Sequence, residues 1–374
     1  MKIIISGDFA PFTQYDSKNF KVFDPEYSTE LREYLDSANY HITNLECPLT
    51  SGQSSIKKIG PALKSLPQNV GLLKKAKVNV TCLANNHILD FEEEGLGDTI
   101  KLLKTNNIGF VGAGREESEI KEPFLISDTN NPVAVVNLGD KEFTSSIKSK
   151  AAINNIDPID NFYQISKLRK KNATIIAILH TGQEYSNCPS PNLKQYCRFL
   201  VDLGVSAIIC HHTHLISGFE LYKNVPIFYG LGNFNFYREK HNNSGWRFGL
   251  IVKLFLQKSK IEFEYKIIEQ DYKNGQIKFV DEEKLNFYQN KIKNLNGIIK
   301  NDYELEKEFE LFTNNRELSY LSYIFTNNKY TRKFYTSGIY KPFYSKVKLR
   351  YLWNIIRCDS HRDVFLKILE KKIF

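Results

Sequence analysis

The stretch VSAIICHHTH, Val205 to His214, carries an apolar run of strand character straight into three histidines within four residues. A lone histidine beside an apolar run is more often a satisfied core residue than a ligand, but packing alone does not call for three. Working outward, five of the eight histidines, His87, His180, His211, His212 and His214, sit at or just past the end of such a run, and the other three are scattered. In α/β proteins the side chains at the carboxyl ends of strands leave the sheet and line the crevice above it. The pattern predicts a metal site at that edge.

The segments upstream repeat the arrangement. Lys2 to Ser6 is an isoleucine-rich strand that breaks at Gly7, which leaves Asp8 just past the strand end, where it can hold a cation. His41 to Leu45 returns as a strand with Asn44 and Glu46 at its end, and Val78 to Ala84 leads into Asn86 and His87. Ala173 to Leu179 is apolar on both faces, which implies a central strand, and it ends in His180. Glu30 to Asn39, Pro67 to Lys77, Gly95 to Thr105 and Asn192 to Leu203 have helical spacing between the strands. Pro132 to Leu138 reads as another strand, and Arg247 to Phe255 with Lys260 to Ile267 as an antiparallel pair. Strands alternating with helices predict α/β construction. Lys141 to Asp160 is too weakly patterned to assign. After about Asp271 the texture changes to Lys, Asn and Glu with spaced Leu, Phe and Ile, which reads as exposed helices.

At 374 residues, 42% hydrophobic and 25% charged, the chain can bury a sizeable core. The apolar run at the start is too short for a signal peptide or a membrane span, and the expectation is a cytoplasmic protein. Six cysteines without CxxC spacing read as small buried hydrophobes of a reducing compartment. Of the net charge of +9, the residues from Tyr330 to Phe374 supply +8, from eleven Lys or Arg against three Asp or Glu. The motif-bearing part is therefore near neutral, which argues against a nucleic-acid channel through it.

Collected, the strand-end residues Asp8, Asn44, Glu46, Asn86, His87, His180, His212 and His214 offer hard oxygen and imidazole donors, a carboxylate able to bridge, and a neutral amide oxygen. Two metals about 4 Å apart polarise a phosphoryl oxygen and lower the pKa of a shared water. A protonated histidine nearby then supplies the leaving group's proton.

With these motifs the chain resembles the CapA family of bacterial capsule and poly-γ-glutamate synthesis, a branch of the calcineurin-like metallophosphoesterase superfamily. The matching stretches are ISGD (Ile5 to Asp8), NLECPLT (Asn44 to Thr50), LANNHILD (Leu83 to Asp90), VGAG (Val111 to Gly114), HTGQEY (His180 to Tyr185), CHHTH (Cys210 to His214) and YGLGNFNF (Tyr229 to Phe236). The resemblance implies a four-layer α-β-β-α sandwich over residues 1–270 and leaves 271–374 as a helical, basic, aromatic extension. It implies Asp8, Glu46 and His214 as ligands of a first metal, with Glu46 bridging, and Asn86, His180 and His212 as ligands of a second. His87 would be the proton donor and Asp90 the residue that orients it. Asn44, Glu184 and Asn233 would line the substrate pocket, and His211 has no assigned role.

Superfamily phosphoesterases read DxH at the first motif, whereas Phe9 and Ala10 follow Asp8 here. One well-held divalent metal (Mn, Fe or Zn) is expected, with a second weak or absent. The implied activity is hydrolysis of a phosphorylated or activated intermediate of capsule, O-antigen or poly-γ-glutamate synthesis, with an anionic surface-polymer precursor as partner. An amide-forming ligase or transferase, and a non-catalytic assembly or export partner with a degenerate metal site, are the alternatives. The basic aromatic tail allows peripheral contact with the inner membrane face. Ser360 and Asp363 would cap a helix there, in which Val364, Phe365, Ile368 and Leu369 share a face; packing of that face on the main domain is the favoured reading.

Overall fold

The computed structural model of the chain describes residues 1–374 apart from 12–13, 17–18, 22, 57, 59, 127–131, 143–149, 172, 239–243, 258–259, 326–345 and 374. Its centre is a pair of sheets. In the nine-stranded sheet, Lys2–Phe9 lies between the parallel Tyr40–Leu45 and the antiparallel Phe248–Leu256. Val80–Cys82 and Gly109–Val111 extend the parallel side, and Ile261–Asp271 and Gln276–Phe279 the antiparallel side. In the six-stranded sheet, Val133–Gly139, Thr174–His180, Ala207–His211 and Val225–Phe228 run parallel, edged by the antiparallel Phe124–Ile126 and Phe219–Tyr222.

Side chains alternate across a strand with period two, and the isoleucine-rich strands use both faces. Ile3 and Ile5 of one sheet meet Ile176, Ile178 and Ile209 of the other, and all are fully buried. Ile4 points the other way, onto Leu31, Leu73, Leu96 and Leu103 of flanking helices. Ile175, Ala177 and Ile208 likewise face Ile165, Leu193 and Leu200 of the helices Pro158–Arg169 and Pro191–Asp202. Each fully buried aliphatic side chain contributes about 1.5–3 kcal/mol. Proline opens both of these helices, and the preceding Asp157 and Ser190 accept hydrogen bonds from backbone N–H groups of the first turn. The unassigned stretch from Lys141 thus ends in a capped helix.

A bulge sets the position of Asp8. Strict alternation would send Asp8 to the helix-covered face with Ile4, but the pairing with Tyr40–Leu45 steps from Ser6↔Thr43 to Asp8↔Asn44, so Gly7 is an extra residue. Asp8 thereby turns toward the second sheet and lies within the strand, not past its end. Glycine is required at that bulge, because a Cβ on Gly7 would lie 2.3 Å from the Gly232 carbonyl oxygen.

The segment after Asp271 departs from the expected exposed helices. Helix Glu282–Lys300 buries Tyr288 and Ile292 between the sheets, and Leu295 and Ile299 against the outer face of the six-stranded sheet. Its abundant Lys and Asn occupy the other face and mask this stripe in composition. Beyond it, Val364 and Ile368 of helix Asp359–Ile373 are buried against Phe309 of helix Asp302–Phe325. Ser360 lies inside the last helix instead of capping it, and its hydroxyl donates to Asp140 Oδ2. All six cysteines are free thiols and buried. Among the described residues no helix is long and apolar enough to cross a membrane.

Candidate metal centre

The carboxyl ends of strands from both sheets meet at one point. His180, opposite His211 in the pairing register, shares the face of Ile176 and Ile178 and so looks between the sheets. The chain after His211 then bends sharply: His212 and His214 adopt φ of 86° and 56°. Such left-handed conformations cost a bulky residue about 1–3 kcal/mol each, and the surrounding packing must hold them. His214 packs tilted on Trp246 at 4.3 Å between ring centroids and meets Phe236 edge-on.

Among the described residues three groups of donors result, of which two share Glu46 and the third is Glu142 with Cys358 and His361 from the end of the chain. Of the two that share Glu46, one is Glu46, His180 and His212, and the other Asp8, Glu46 and His214; within each, the donor atoms lie within 4.8 Å of one another. His180 Nε2 is 3.0 Å from both Asn86 Oδ1 and His212 Nδ1, and 3.7 Å from Glu46 Oε1. His214 Nε2 is 3.6 Å from Glu46 Oε1, while its Nδ1 faces Asn233 Oδ1 at 3.0 Å and Asp8 Oδ2 at 3.4 Å. Two donors on one cation at about 2.1 Å stand roughly 3–3.5 Å apart, which matches the His180, Asn86 and His212 spacings.

The electrostatics also fit a cation. Glu46 is completely buried, and neither carboxylate oxygen has a hydrogen-bond partner. Burial and the neighbouring Asp8 push its carboxyl well above the usual carboxylate range, an effect that positive charge beside it reverses. Burial holds His180 and His212 below the ordinary histidine value, which favours the neutral imidazole that ligates metals.

A second cluster adjoins the first. His87 Nδ1 is 2.6 Å from Asp90 Oδ2, and Lys58 Nζ is 2.6 Å from Asp90 Oδ1 and 2.9 Å from the Asn86 carbonyl oxygen. Burial and the Lys58 ammonium lower the His87 pKa. For Asp90, burial acts upward, but Lys58 and His87 outweigh it and keep the carboxyl low. Lys58 carries no motif signal in the sequence.

Asn44 and Asn233 do not line the cavity beside the donors. Both are buried behind the donors: Asn44 Nδ2 donates to Asp8 Oδ1 at 2.8 Å and lies 3.1 Å from His180 Nδ1, while Asn233 fixes His214. His211, also buried, has its Nδ1 3.0 Å from Asp8 Oδ1. Glu184 is exposed and does line the cavity of about 280 Å³ beside Asn86, His87 and His212. The opposite wall comes from the end of the chain: Arg316, Tyr351, Asn354 and His361 face the same cavity. Glu142, from the stretch without pattern, joins the two sides. His361 and Glu142 lie far apart in the sequence and neither ends an apolar run, so local reading had no means of finding them.

A family model described as bacterial capsule synthesis protein PGA_cap matches residues 2–238. The chain belongs to this family. Among curated family relatives it is similar to the capsule biosynthesis protein CapA of Bacillus anthracis, 33% identical over 226 residues that cover 57% of this chain and 53% of that protein. The PGA biosynthesis protein CapA of Bacillus subtilis is 28% identical over 252 residues, or 64% of each chain. A probable polyglutamine synthesis accessory protein of Mycobacterium tuberculosis is 26% identical over 205 residues, covering 51% of this chain and 54% of that one. The chain thus spans about half the length of the first and third relatives and 64% of the second. The PGA_cap match ends before the helices that complete the cavity.

Proposed function

We propose that the chain is a metal-dependent hydrolase of the CapA type, acting on a phosphorylated or activated intermediate in the synthesis of a capsule, O-antigen or poly-γ-glutamate polymer. The observation that carries this reading is Glu46, a fully buried carboxylate with two unpartnered oxygens, shared by two groups of donors. In this reading Glu46, Asn86, His180 and His212 would hold one divalent metal firmly, and Asp8, Glu46 and His214, without the DxH histidine, another weakly, within a four-layer α-β-β-α arrangement. Manganese, iron and zinc all suit such a set of carboxylate, amide and imidazole donors. The metal when bound polarises a phosphoryl oxygen and lowers the pKa of a coordinated water.

The protein's own groups do the rest. Asp90 holds the His87 ring through Nδ1, which leaves Nε2 for a proton passed to the leaving group. Lys58, Arg238 and Arg316 around the cavity favour an anionic substrate. The names of the Bacillus relatives, a capsule biosynthesis protein and a PGA biosynthesis protein, support the polymer setting.

Elemental analysis of protein purified without chelator, wild type beside His212→Ala, tests the reading, followed by a phosphate-release screen on nucleotide-sugar and acyl-phosphate precursors. Bound metal lost in the variant, with metal-dependent phosphate release, is the expected result. Protein that binds no metal, even when metal is added, would leave an assembly partner as the better description.

A further inference from the structure

We propose that Glu142, clamped by His361 and Asn354 of the last two helices, is the positioning carboxylate that aims Asn86 and His212 at the firmly held metal. Through it, the C-terminal helices set the affinity of a centre they do not touch. The inference rests on the metal-centre reading above and extends it to residues outside the family match.

The two oxygens of Glu142 serve different sides. Oε2 is 3.4 Å from Asn86 Nδ2 and 3.8 Å from His212 Nε2. Oε1 is 3.0 Å from His361 Nε2 and 3.4 Å from Asn354 Nδ2. A carboxylate only accepts hydrogen bonds, so its hydrogen bonds to Asn86, His361 and Asn354 each select one orientation of the partner. Facing Glu142, the Asn86 amide must present its NH2, which turns Oδ1 toward His180 Nε2 at 3.0 Å. Without that acceptor the amide could turn over and offer the metal an NH2, which does not ligate. At 3.8 Å Glu142 Oε2 is beyond hydrogen-bond reach of His212 Nε2, but its negative charge favours the tautomer with the proton on Nε2, which leaves the Nδ1 lone pair toward His180 Nε2 at 3.0 Å. A carboxylate behind a ligating histidine is a recurrent device of metal sites, and its loss costs about 10–100-fold in affinity.

Glu142 needs the clamp because it lies in a bend, outside any helix or strand. Ser360 docks the start of the last helix by donating to Asp140 Oδ2, which also accepts from Thr181 at 2.8 Å, next to His180. Residues 140, 142 and 181 are thus held by the last helix from one side.

The test uses the full chain, stripped with chelator and titrated with Co2+, with affinity and stoichiometry read by calorimetry and ligand geometry by the visible cobalt spectrum. Glu142→Gln and His361→Ala are expected to bind the firmly held ion 10–100-fold more weakly, with an altered spectrum, while metal-free melting stays within a few degrees of wild type. His361→Gln, which keeps an N–H donor toward Glu142, is expected to recover most of the affinity, a rescue that a merely structural role would not produce. Wild-type affinity and spectrum in both Glu142→Gln and His361→Ala would overturn the inference and leave the metal centre standing. Wild-type protein that binds no cobalt would overturn the metal-centre reading, and this inference with it.

Discussion

His361 Nε2 stands 3.0 Å from Glu142 Oε1, across 219 residues of chain. That contact joins the end of the molecule to the mouth of the donor cluster, and it makes the last helices a wall of the site.

Glu46→Gln keeps the shape of the side chain and removes its charge. In the metal-free protein, burial and Asp8 disfavour the ionised form of Glu46 in the folded state, so wild type loses stability as pH rises above the ordinary carboxylate range, and the variant, which cannot ionise, is expected to be the more stable at neutral pH. In saturating Mn2+ the order reverses, because binding stabilises only the state that binds. Urea melts with and without Mn2+ read both effects; a Glu46→Gln protein no more stable than wild type under chelation at neutral pH would count against a disfavoured ionisation there.

His87→Ala is expected to retain bound metal and lose about 10²–10⁴ in turnover, the usual contribution of a positioned proton donor. Asp90→Asn should lose part of that factor, because the amide still contacts Nδ1 but cannot hold its proton as a carboxylate does. Metal content and single-turnover rates are the readouts. Full activity of His87→Ala on the true substrate would remove His87 from the mechanism.

His41 makes stability depend on pH. Its Nδ1 lies 2.8 Å from the Ala76 carbonyl oxygen and its Nε2 2.8 Å from Ser6 Oγ, an arrangement that suits the neutral ring. Burial lowers its pKa from 6.5 to about 4. Between those values the unfolded chain binds more protons than the folded one, so stability rises with pH across the window. The contribution is complete above pH 6.5 and is lost as pH falls toward 4, about 3 kcal/mol in all. Urea unfolding at pH 7.5 and 4.5 should show a smaller difference in His41→Gln by roughly that amount; an identical pH dependence in both proteins would refute the assignment.

Gly7→Ala adds one methyl group 2.3 Å from the Gly232 carbonyl oxygen. Backbone must move to admit it, at about 1–3 kcal/mol. Because the bulge turns Asp8 toward His211 and His214, metal affinity should fall along with stability. An alanine variant with wild-type melting temperature and metal content would show that the bulge tolerates a side chain.

The nearly unbroken apolar runs in IIIS, ATIIAIL and SAIIC are a local property, and with side chains alternating between faces at period two they were enough to read two-sided buried strands, α/β construction and donors gathered at strand ends. His180 on the face of Ile176 and Ile178 follows from the same period. The buried stripe Tyr288, Ile292, Leu295 and Ile299 was present in the sequence too, hidden by the polar residues between its members. Other features have no local signature. The extra residue at Gly7 that reverses Asp8 depends on how Lys2–Phe9 pairs with a strand about 35 residues away. Asn44 and Asn233 look like pocket residues at strand ends, and only the packing of one sheet on the other puts them behind the donors. Glu142 and His361 meet because the last helices dock over the strand ends, and a contact across 219 residues is set by that packing. The sequence by itself determined which residues end the strands; the tertiary structure decided which of them face one another, because facing is fixed by register and docking between segments that carry no record of each other in their local pattern.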